Sequence, residues 1–187
     1  LHTVMTLDDI TVRKYRTGDL ISDGSFTSLA SWSSRAGSVG ANAWLTTTNR
    51  IADTDDGNAW GLAVFDDTYR FGLKNDASLW QSVVFPEAGT YRLTVHAISR
   101  FYRSYGETDY VRYGLNPITA WFAKDGTTNS IGTFATDACE RFVRHTFLFS
   151  VSEAGSYDVG FTGQTSSGSK GSVIDGVSVE KVTLDAS

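Results

Sequence analysis

The sequence predicts an all-β fold, a jelly-roll β-sandwich of two antiparallel sheets. Three observations carry that expectation. Aromatics make up 13% of the 187 residues, and Thr, Ser, Val and Phe outweigh Leu, Glu and Lys, a balance that suits a pleated, half-buried surface. No window sustains an apolar period of 3.6 residues, so almost no helix is expected. Short segments of alternating apolar and polar residues recur instead, separated by Gly- and Asp-bearing turns.

Taken in order, Leu7 to Arg13 carries the first alternation and shares its pattern with Ile174 to Glu180. Either these are the first and last strands of one sandwich, or residues 1–17 close a preceding copy in a tandem array. In both cases Gly18-Asp19-Leu20-Ile21 reads as the start of a domain over residues 18–183, with 184–187 a tail. The chain begins at Leu1 and reads as a piece of a longer polypeptide. Thr90 to Ala97 places Tyr91, Leu93, Val95 and Ala97 on one face and Arg92, Thr94 and His96 on the other. Ile118 to Lys124 alternates likewise and ends at Asp125-Gly126, a hairpin signal, with the next strand expected near Ile131. Phe142 to Val151, Ser156 to Thr162 and Val173 to Val182 complete the set, the second with Tyr157, Val159 and Phe161 inward. Two turns echo each other: Pro86-Glu87-Ala88-Gly89-Thr90-Tyr91 and Ser152-Glu153-Ala154-Gly155-Ser156-Tyr157.

Charge and composition exclude several functions. Net charge is −5, so the basic face of a nucleic-acid binder is missing. No apolar run is long enough to span a bilayer as a helix, so no membrane partner is expected. The single cysteine, Cys139, cannot form an internal disulfide and reads as a small semi-buried side chain. His96 and His145 sit within strands without a partner at zinc spacing. No Gly-x-Ser-x-Gly elbow occurs, and Ser166 to Ser172 reads as a surface loop. The expectation is therefore not an enzyme.

The segment Ser99 to Pro117 stands apart. It holds Phe101, Tyr102, Tyr105, Tyr110 and Tyr113 together with Arg100, Arg103 and Arg112, and it shows no period that would bury them all. Rings stack on the apolar faces of sugars, and guanidinium groups bond hydroxyls or carboxylates. Arg100, Tyr102, Arg103, Tyr105, Tyr110, Arg112 and Tyr113 are the first-choice ligand contacts of a loop carried by a rigid scaffold. The competing reading tucks Phe101 and some tyrosines under the loop as a satellite core. Trp121 alternates with Ile118, Ala120 and Phe122 and should face away from the core, either exposed on the sheet or covered by the long loop. Trp44 and Trp32 flank a small-residue segment and suit either a sugar platform or core filling. Trp60 and Trp80 read as buried.

Leu20-Ile21-Ser22-Asp23-Gly24-Ser25-Phe26 resembles the opening of galactose-binding-like β-sandwich modules, many of which bind carbohydrate. The resemblance continues through Leu79 to Phe85, Glu87 to Tyr91 and Val173 to Val179. Ala97 to Arg100, Gly132-Thr133-Phe134 and Ile174 to Val177 are similar to bacterial surface domains of the same fold. The resemblance implies a non-catalytic carbohydrate-binding module, secreted or at the cell surface. Such a module would target a larger protein to a polysaccharide and sit beside that protein's flanking domains. The alternative is a structural or adhesive sandwich that contacts protein. Several such families hold a structural Ca2+ near the termini. The resemblance implies Asp175 and Asp23 as its ligands here, although Thr27 replaces the usual Glu and Gly176 the second Asp. Asp53 to Asn58 could supply further oxygens.

Overall fold

The computed structural model describes residues 18–26, 30–35, 43–46, 52–54, 70–73, 77–99, 101–103, 111–112, 117–135, 142–164 and 172–182. Thirteen strands and no helix occur among them. They are β1 (Ser33–Arg35), β2 (Ala43–Thr46), β3 (Ala52–Thr54), β4 (Arg70–Leu73), β5 (Ser78–Phe85), β6 (Gly89–Ser99), β7 (Phe101–Arg103), β8 (Val111–Arg112), β9 (Ile118–Lys124), β10 (Thr127–Phe134), β11 (Val143–Val151), β12 (Gly155–Gly163) and β13 (Ser172–Lys181).

Two five-stranded sheets form the sandwich, ordered β1-β5-β12-β9-β10 and β11-β6-β13-β4-β2. All of their pairings are antiparallel. A smaller sheet, β3-β7-β8, contains the parallel pair β3–β7. The strands expected from Thr90 onward are present, with one correction; the alternation at Leu7 to Arg13 lies outside the described residues. Asp125 and Gly126 both take positive φ and close a two-residue hairpin, so β10 begins at Thr127 rather than near Ile131.

The alternation read from the sequence is the alternation of burial. Tyr91, Leu93, Val95 and Ala97 of β6 meet Tyr157, Val159 and Phe161 of β12 in one core, all but closed to solvent. Phe85 lies at its centre, edge-on to Tyr91, Tyr157 and Phe149 with ring centroids 4.8, 5.2 and 6.0 Å away. Truncating a fully buried ring of this kind costs about 3–5 kcal/mol. Gln81, on the inward face of β5, is buried together with the polar Ser78 and Thr94. Its amide donates to the Ser22 carbonyl (2.7 Å) and accepts from the Ser22 N–H (2.8 Å), which pins the opening turn onto β5. Asp19 Oδ1 accepts from the N–H groups of Ile21 and Val179 and ties this segment to β13. Trp32 is core: it is 7% exposed, packs on Phe26 and donates its indole N–H to the Asp23 carbonyl.

The two echoing turns are one device built twice. Gly89 and Gly155 take φ values of 149° and 144°, which a side chain would strain. Tyr91 and Tyr157 donate their hydroxyls to the carbonyls of Glu87 and Glu153. Lys181 and Lys124 reach across to pair with those same glutamates.

Candidate functional site

Register places one row of outward side chains across the first sheet. Ser33 pairs with Trp80, Trp80 with Gly160, Gly160 with Trp121, and Trp121 with Ser130. Directly paired residues share a face, so two tryptophans flank a glycine on the outer side of β5, β12 and β9. Both are half-buried. The Nε1 of Trp121 donates to Thr162 Oγ1 at 2.9 Å. The Cζ2 edge of the same ring leans over Gly160: a methyl placed there would lie 2.5 Å from Cζ2, 2.6 Å from the Leu79 carbonyl oxygen and 2.7 Å from Trp80 Cβ. Glycine is therefore what lets the indole settle against the sheet. Strands spaced ~4.8 Å apart put the two tryptophans about 10 Å from each other across β12.

Hydroxyls border this row. On one side Ser78 bonds Thr162 (2.8 Å) and Thr119 bonds Thr133 (2.8 Å), with Arg35 at the sheet edge. On the other side lie Ser82, Asp158, Ala123 and Thr128, where Ser82 bonds Ser156 at 2.9 Å. Asp158 is the carboxylate and Arg35 the cation among the described outward residues of these strands. The face is a pinned aromatic surface edged by donors and acceptors, close to neutral.

Trp121 faces outward as the sequence predicts. Trp80 does not match its reading as a buried residue: it stands on the outer face of β5. Tyr102 and Arg103 lie on β7 and Arg112 on β8, so part of the expected loop is strand. The reason is a non-local partner, since β7 pairs with β3 as well as β8. Trp44 lies on β2, in the opposite sheet from the platform. Arg100, Tyr105, Tyr110 and Tyr113 lie outside the described residues, as do residues 1–17 and Trp60.

The calcium expectation finds one donor already engaged. Asp175 Oδ1 accepts from the Gly176 N–H at 2.7 Å. Asp23 sits at φ 53° in the opening turn, whose next residue, Gly24, accepts from the Val177 N–H. Among the described residues no group of three or more His, Cys, Asp or Glu side chains is gathered where one ion could bind them.

No family model matches the sequence, and no curated protein does. Solved structures do. TmCBM61, solved with β-1,4-galactotriose, superposes with a TM-score of 0.56 at 14% identity, covering 88% of this chain and 99% of its own. The CBM22-1 xylan-binding domain of Paenibacillus barcinonensis Xyn10C does so with a TM-score of 0.54 at 11% identity, covering 89% and 97%. The enzymatically active domain of the bacteriophage CBA120 tailspike protein 4 matches with a TM-score of 0.53 at 14% identity. It covers 88% of this chain, which spans about a fifth (21%) of that one. The chain has the galactose-binding-like β-sandwich fold of carbohydrate-binding modules.

Proposed function

We propose that the chain is a non-catalytic carbohydrate-binding module that holds a larger secreted or surface protein on a glycan. The observation that carries this reading is the row Trp80–Gly160–Trp121, two outward rings with a glycine between them. Apolar sugar faces stack on the rings while the bordering hydroxyls and Asp158 bond the sugar's own hydroxyls. The ring spacing is roughly the repeat of two sugar units in an extended chain, so the glycan runs across the strands. A near-neutral face favours a neutral glycan over a uronic or sulfated one. Trp44, Tyr102, Arg103 and Arg112 are proposed as further contacts, with Arg100, Tyr105, Tyr110 and Tyr113 from the same segment. A structural Ca2+ held by Asp175 and Asp23, with further oxygens completing its shell, is proposed as well.

The test is retardation of the chain in gels containing β-1,4-galactan, xylan or a soluble β-glucan, beside Trp121→Ala and with or without chelator. Retardation of the wild type that Trp121→Ala loses, with its melting temperature kept, supports the reading. No retardation by any neutral polysaccharide turns the reading towards the adhesive alternative, in which the rings meet a protein.

A further inference from the structure

A second feature lies on the other side of β9. Between the two sheets, at the edge formed by β10 and β11, a cleft of about 280 Å³ opens beside the Glu153 corner. Its floor is the partly buried Phe122 ring and the Tyr157 ring. Lys124 and Glu153 form one wall, with Nζ and Oε1 2.6 Å apart and Nζ 5.1 Å above the Tyr157 ring. Thr127 and Asn129 form the other.

The pattern of the strands makes this cleft informative. Thr127 pairs with Lys124 and Asn129 with Phe122, so all four point to the side that carries Ile118, Ala120 and Phe134 further along. Those three are core. Thr127 and Asn129 are polar, and residues 125–130 are all exposed, so the face that is core at Phe134 opens to solvent at this end of β10. Such local departures from the fold's own pattern concentrate at functional sites.

The chemistry narrows the ligand. The ammonium and carboxylate neutralise each other, so the cleft asks for no net charge. It offers the ammonium and the Asn129 amide as donors, and Glu153 and the Asn129 carbonyl as acceptors, around an apolar floor. The Asn129 amide and Thr127 hydroxyl are exposed at the mouth of the cleft. We propose that this cleft is a second sugar site, taking a single neutral pyranose unit, so that the module binds on both sides of β9. The site stands whether or not the platform binds, and two sites on one module raise the hold on a polymer by effective concentration.

The test is a ¹⁵N-resolved NMR titration of the chain with methyl β-galactoside, methyl β-xyloside and methyl β-glucoside. At least one is expected to shift the Asn129 side-chain amide and the backbone of residues 124–129 saturably. The shifts should persist in Trp121→Ala and weaken about tenfold in Asn129→Ala, the loss of a hydrogen bond or two to a neutral ligand. Glu153→Gln, at an exposed position, should weaken them as well. No saturable shift in residues 124–129 with any of the three, or shifts that Asn129→Ala leaves unchanged, would overturn the proposal. Platform binding is read separately, from the Trp121 indole.

Discussion

The two outer faces of the sandwich are built on the same scaffold and differ in what they can hold. On the first sheet the outward row is Trp80, Gly160 and Trp121 among small hydroxyl residues. On the second the outward rows are Arg144–His96–Asp175 and Leu148–Arg92–Glu180, with Arg92 Nη2 2.7 Å from Glu180 Oε2. Leu148 is 63% exposed, whereas Ile98 and Val173, paired on the same outward side, are fully buried, so this face is not open along its whole length. Long flexible side chains lose rotamer freedom when a ligand orders them. The Trp121 ring is already held by Thr162 and by its seat over Gly160. Identical inward alternation thus gives both sheets a core, and the outward positions alone separate an aromatic, hydroxyl-edged face from one of paired charges.

The comparison can be broken most sharply by the same kind of truncation on each face. Trp121→Ala should weaken glycan binding by on the order of 2 kcal/mol, about thirtyfold, while Leu148→Ala leaves it unchanged in the same titration calorimetry. Gly160→Val comes next. Its side chain meets the Leu79 carbonyl, which cannot yield, so ~1–3 kcal/mol of stability should go in denaturant unfolding, together with binding as Trp121 is displaced. Thr162→Val keeps the shape and removes the acceptor for the Trp121 N–H. It should cost ~1 kcal/mol of affinity, about fivefold, with the module still folded.

The smallest effect is one of pH, and it separates the faces by mechanism. Burial holds His96 below its ordinary value, with Arg144 adding to the shift and a backbone bond to Gly176 opposing it. Burial also lowers His145, helped by His96; its Nε2 is buried without a partner among the described residues. Burial thus disfavours the charged form of both rings in the fold, while the unfolded chain takes up protons near the ordinary value of 6.5. Stability is full above about pH 6.5 and falls as pH drops through that value towards the lowered folded ones. The melting temperature should drop between pH 7.5 and 5, less steeply in His145→Gln, where the His96 contribution remains, while affinity at the platform, which has no histidine, changes little.

Much of this was legible in the sequence, and the rest was hidden for identifiable reasons. Trp121 could be read as outward because Ile118, Ala120 and Phe122 fix the other face. Trp80 could not. Gln81 occupies the inward position beside it, and the bond that makes a buried glutamine acceptable comes from Ser22, 59 positions away. Gly160 looked like any strand glycine until pairing set it between two tryptophans. The short strands β7 and β8 inside the tyrosine-rich segment depend on β3, far away in sequence. Local alternation speaks for faces, and only register speaks for neighbours.

The most direct measurement follows the five tryptophan indole N–H resonances while a neutral oligosaccharide that binds the chain is titrated in. The platform predicts saturable shifts at Trp80 and Trp121 with Trp32 unmoved in the core. Binding that leaves Trp80 and Trp121 unmoved, while resonances of the segment from Tyr102 to Tyr113 or of Trp44 shift, would contradict it and move the site away from the outer face of the first sheet.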